Sequence, residues 1–120
     1  MKLPIVFHKN YFAKIGEDHK FPINKFGELA KYLKEKKLVK FFFEPYGCSE
    51  ETLLRVHSNK YIQQIKNKTL DQKDIKKIGL PLIDSVIQRS LFATGGTVLS
   101  SKLAINYGLA CNTAGGSHHA

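Results

Sequence analysis

The chain has no tryptophan, a single methionine, two cysteines and, among its 19 basic residues, only two arginines, Arg55 and Arg89. Two cysteines, Cys48 and Cys111, are too few for a disulfide framework and match no zinc-ligand spacing. They read as free, buried thiols. No apolar run approaches the roughly 20 residues that span a bilayer. The opening residues lack the long apolar core and small-residue cleavage site of a secretory signal, so a cytoplasmic location is expected. Repeats and low-complexity linkers are also missing. At 120 residues the chain is one domain at most.

What is present is lysine. The net charge is +9, and an excess of this size can attract nucleic acid or anionic lipid. The lysines are spread along the whole chain, however, and the densest run, Lys34-Glu35-Lys36-Lys37, is broken by an acid. That run falls where a helix ends, and there it complements the helix dipole. A solvated face is favoured over a nucleic-acid patch, and no RNP, zinc-finger or helix-turn-helix pattern argues otherwise.

Hydrophobic content of 42% supports a small core. Residues 3–7 read as a short strand and residues 10–22 as a loop with turn chemistry at Gly16 and Pro22. Asn24 is a candidate N-cap, followed by Phe26, Leu29, Ala30 and Leu33 at helical spacing. Residues 38–43, with three consecutive phenylalanines, read as a second strand. Ser49 and Ser58 are N-caps for two further helices, the second carrying Ile62 and Ile65 on one face. A weaker helix over 69–78 ends at Gly79 and Pro81. The longest helix is expected over 83–107, with Ile87, Leu91, Thr94, Val98 and Ile105 marking one stripe and Gly108 as C-cap. Gly95 and Gly96 inside it cost about 1 kcal/mol each relative to alanine, which implies close packing there. Residues 109–111 read as a third strand, running into Asn112 and a glycine-rich loop. Strands separated by helices predict an α/β protein with a parallel sheet. Such sheets build their sites beyond the carboxyl ends of the strands.

The most specific feature is that loop, Gly115-Gly116-Ser117-His118-His119-Ala120. Paired glycines allow a sharp turn and close approach to a ligand. Two adjacent imidazoles can serve as general base and proton donor, although a His-His pair alone is also a common chance occurrence on a solvated terminus. His8, His19 and His57 are scattered and lack metal spacing. Hydrogen-bonded structural roles are expected for His19 and His57, and an exposed loop for Glu17 and Asp18. Ser100, Ser101 and Ser117 lack a nucleophile-elbow context.

The loop resembles the GG-x-H-H-A segment of the histone deacetylase family. Earlier segments agree and keep the same order: residues 3–8 with the opening strand; Asp18-His19-Lys20-Phe21-Pro22-Ile23-Asn24-Lys25-Phe26 with the H-x-F-P-x-x-K-[FYW] segment of bacterial and class IV-like members; Leu54-Arg55-Val56-His57-Ser58 and Tyr61 with L-x-x-V-H-x-x-x-Y; then Ile78-Gly79-Leu80-Pro81 and Gly95-Gly96-Thr97. The resemblance covers the whole chain. It implies the N-terminal part, residues 1–120, of a three-layer α/β/α parallel-sheet arginase–deacetylase fold, here incomplete.

The implied activity is zinc-dependent hydrolysis of an acetylated lysine, acetylated polyamine or related acyl amine. His118 and His119 match the catalytic pair, and Gly115 and Gly116 the loop lining the pocket; Ser117 fills the variable slot. The family's zinc ligands, two aspartates and a histidine, lie later in the family sequence, as do the carboxylates that orient the His pair and the oxyanion-stabilising tyrosine. No zinc is therefore expected on this chain alone. It is expected to be inactive by itself and marginally stable: with the edge of its last strand bare, it unfolds easily, aggregates, or needs a complementary C-terminal polypeptide carrying the remaining strands. A degenerate non-catalytic remnant and a small basic binding protein are the alternatives.

Overall fold

The computed structural model describes residues 3–118. In chain order the described elements are β1 (Ile5–Val6), a 3-10 turn (Lys9–Tyr11), α1 (Lys25–Glu35), α2 (Glu50–Leu53), α3 (Asn59–Lys66), α4 (Gln72–Ile78), α5 (Asp84–Tyr107) and β2 (Cys111–Asn112). Mixed helical structure thus surrounds a small parallel sheet.

Local chemistry sets most of the boundaries. The hydroxyls of Ser49 and Ser58 accept from the Thr52 and Tyr61 amides, each satisfying an orphan donor at a helix start. Asn24 sits at the N-cap of α1 without a capping side-chain bond. Gly79 (φ 74°) and Gly108 (φ 83°) close α4 and α5 in the left-handed conformation that costs glycine least.

β1 lies in the middle of the sheet. It pairs in parallel with β2 (Ile5 opposite Cys111, Val6 opposite Asn112), and on its other side Val6 forms a parallel bridge with Phe43. Backbone bonds on both flanks, Phe43 to Ile5 at 2.9 Å and Thr113 to Val6 at 3.0 Å, leave Val6 fully buried. The strand expected over 38–43 reduces to that single contact at Phe43. Lys37 turns back at φ 55° and the Leu38 amide bonds to Leu33, so the segment begins as the closure of α1. Leu38 and Phe41 stay exposed.

α5 crosses β1, β2 and the 3-10 turn, and α1 packs on the same turn. Their shared core is Tyr11, Ala13, Ile23, Phe26, Leu80, Val86, Ala93 and Ala114. The buried side of α5 differs from the expected stripe. It runs through Val86, Arg89, Ala93, Gly95, Gly96 and Leu103, while Ile105 is 84% exposed. The helix lies so near its neighbours that small residues face them. A Cβ on Gly95 would meet the Tyr46 carbonyl, and one on Gly96 the Tyr11 hydroxyl.

The Tyr11 hydroxyl donates to Asn112 Oδ1 at 2.8 Å, joining the 3-10 turn to β2. Burial pushes this phenol up to about 12, outweighing the opposite pull of the Asn112 bond. Tyr11→Phe leaves that amide oxygen with only the longer bond from the Ala114 amide, at 3.4 Å. We expect a loss of about 1–3 kcal/mol, read as a lower denaturation midpoint with an unchanged m-value; an unchanged midpoint would show that the bond carries no net stability.

The cysteines are free, as expected, but not buried: Cys48 is half-buried and Cys111 exposed. Among the described residues no helix is long and apolar enough to cross a membrane.

Candidate functional site

β2 ends at Asn112, and the chain leaves its carboxyl end through Thr113 and the buried Ala114 into the glycine loop. Thr113 is tied back to Val6 by its amide (3.0 Å) and its hydroxyl (3.1 Å), so the loop departs from a fixed point on the sheet. His118 follows, exposed, on the wall of a cavity of about 440 Å³.

That cavity lies between α3, α4 and the first half of α5. Ile62, Ile65, Ile78, Leu80, Ile87 and Leu91 make it apolar, and His57 and Tyr61 line it together with His118. Ile87 and Leu91, two residues of the expected stripe, thus line this opening, beside the core residues Leu80 and Val86.

The sequence-predicted site residues are only partly brought together. His118 Nδ1 lies 2.8 Å from Ser117 Oγ. If the hydroxyl donates, the imidazole keeps its proton on Nε2; if it accepts, Nε2 is the basic nitrogen. Ser117, which the spacing gave no role, is thus the hydrogen-bond partner of His118. His119 lies outside the described residues. Gly115 and Gly116 are exposed, and neither has a left-handed φ. A Cβ at Gly115 would meet nothing, so the sharp turn expected of the glycine pair is not what requires glycine there.

Of the remaining histidines, His8 and His19 are held away from the cavity and His57 lines it. His8 Nδ1 accepts from the Asn10 amide and its ring stacks on Phe92 at 4.2 Å. His19 Nδ1 accepts from the Phe21 amide, the hydrogen-bonded role expected of it. His57 lies against Tyr61, with ring centroids 5.4 Å apart. Glu17 and Asp18 are exposed. Among the described residues no group of three or more His, Cys, Asp or Glu side chains could hold a metal ion. These residues therefore do not fit a zinc centre.

One buried residue near the loop was not anticipated. Arg89 is 3% exposed, and its Nη2 donates to the Gly115 carbonyl at 3.4 Å. The missed signal was the recurrence of positions 86, 89, 93, 96 and 103 along one side of α5, which a search for large apolar residues passes over.

A histidine-bearing loop at the carboxyl end of a parallel strand is the arrangement by which α/β proteins present a ligand site. The profile of the histone deacetylase domain matches residues 19–120. An uncharacterized protein of Picosynechococcus sp. is 41% identical over 122 residues, covering 100% of this chain and 41% of that protein. Histone deacetylase 2 of Arabidopsis thaliana is 30% identical over 133 residues, covering 98% of this chain and 33% of that protein. The chain belongs to the histone deacetylase family. It spans well under half the length of these relatives.

Proposed function

We propose that this chain carries the histidine loop of a deacetylase that hydrolyses the amide of an acetylated lysine, an acetylated polyamine or a related acyl amine. The observation that supports this most is His118, in Gly-Gly-Ser-His-His, at the carboxyl end of a parallel strand and on the wall of an apolar cavity. On this reading residues 1–120 form the N-terminal part of a three-layer arginase–deacetylase fold. His118 and His119 handle the protons: one takes a proton from the attacking water, the other gives one to the departing amine. Gly115 and Gly116 keep the loop slim beside the acyl group.

The zinc of the family would be held by residues other than the described ones. The 120 residues alone would then be inactive. The outer edge of β2, with no strand paired to it among the described residues, would be covered by further strands of the fold or by a complementary polypeptide. A cytoplasmic location accords with this reading.

The test is amine release from an acetyl-lysine peptide and from an acetylated diamine, with zinc in the medium. We expect release by the intact gene product and none by residues 1–120 alone. No release from any acyl amine by the intact product would overturn the proposal.

A further inference from the structure

Arg89 is a cation in a place where cations are costly. It is buried, and no carboxylate pairs with it among the described residues. Its guanidinium carbon sits 4.9 Å from the ring centroids of both Phe21 and Phe26. Its Nη2 reaches the Gly115 carbonyl, and its Nε has no acceptor among the described residues. Burial works against the charged form.

A core position of this kind is ordinarily filled by an apolar side chain, because an unpaired buried charge is expensive. Two aromatic faces recover part of that cost through cation–π attraction. The planar fork offers something no apolar residue can: a donor aimed at one carbonyl of the glycine loop. That loop has few other ties. Beyond Thr113 and Ala114 the described bonds are the Arg89 contact and the Ser117–His118 pair, and neither glycine has a side chain to anchor it.

The geometry points to Arg89 as a positioning residue. Packed against the adjoining rings of Phe21 and Phe26, whose centroids lie 6.0 Å apart, it holds the Gly115 peptide and so sets where His118 stands relative to the cavity. This inference rests on the deacetylase reading only for its catalytic consequence; the clamp on the loop stands on contacts alone. The cluster of Arg89 with Phe21 and Phe26 therefore links the loop after β2 to the segment before α1 and its first turn.

The experiment is Arg89→Met in the intact gene product, which keeps the long apolar stem and removes the fork. Backbone order parameters by NMR relaxation at residues 115–118 are expected to fall from the rigid range, about 0.85, to below about 0.6, while those within α5 hold. Amide hydrolysis is expected to lose about tenfold or more in kcat with KM little changed, as misplacement of a catalytic group predicts. Should Arg89→Met fail to fold, Arg89→Lys, which keeps charge and stem without the fork, is read in the same way. Unchanged order at 115–118 in the folded variant would overturn the clamp. If order falls while neither the wild type nor the variant hydrolyses any acyl amine, the clamp stands and the deacetylase reading falls.

Discussion

Replacing His118 by alanine is expected to lower kcat for amide hydrolysis by the intact gene product by about 10²–10⁴-fold, the usual worth of a positioned general acid or base. Among the described histidines His118 is the one on the glycine loop; of the others, His57 also lines the cavity, packed on Tyr61. His8 and His19 each spend Nδ1 on a backbone amide, and His8 is also stacked on Phe92. Removing either would disturb the fold first. His118 shares a hydrogen bond with the hydroxyl of Ser117 and stands exposed on the cavity wall. Because it contributes nothing to the buried core, His118→Ala should unfold at the same temperature as the wild type. Steady-state and single-turnover rates together check the prediction: the chemical step should slow while substrate affinity holds. Activity within a few-fold of wild type in both His118→Ala and His119→Ala would remove the pair from the mechanism.

Gly95→Ala should be among the most destabilising single-methyl changes available in this chain, costing about 3 kcal/mol or more, the upper end of overpacking effects. At an ordinary helix position the same change would stabilise by roughly 1 kcal/mol. The sign reverses because the added Cβ meets backbone: the Tyr46 carbonyl oxygen first, then the Tyr46 carbonyl carbon at 3.2 Å and the Cys48 nitrogen at 3.3 Å. The segment it would push is already bonded to α5 through the Cys48 amide and the Leu91 carbonyl at 2.9 Å. Gly27, inside α1 with nothing within 4 Å of a built Cβ, is the internal control. Gly27→Ala should raise the melting temperature while Gly95→Ala lowers it sharply. Equal shifts of the same sign would show that α5 does not approach this segment closely.

The contrast between those glycines shows how the sequence could be read and where it could not. Serine caps, closing glycines and the long helix were legible because each depends on a few neighbouring residues. Two mid-helix glycines announced a close approach, and the structure supplies Tyr46 and Tyr11 as what is approached. The buried side of α5 was not legible by apolar counting, because close approach to neighbouring segments selects Gly there, and one arginine packs against two phenylalanines. Ile87 and Leu91, on the expected stripe, line an open cavity. The three phenylalanines of 41–43 look like a strand, yet only Phe43 reaches β1. At the site, the glycine–histidine loop was visible as a motif; Arg89, Asn112 and Tyr11 were not, since their roles exist only once distant segments meet.

The sheet has a consequence for the order in which the chain can fold during synthesis. Tyr11 and Asn112 are bonded across 101 residues, and Thr113 and Val6 across 107. Local helices can form as they leave the ribosome, but the first strand must stay without its β2 partner until residues 111–112 have emerged. Closing so long a loop makes this pairing a late, slow event. In the interval the apolar residues around β1 are open to chaperones and to neighbouring chains.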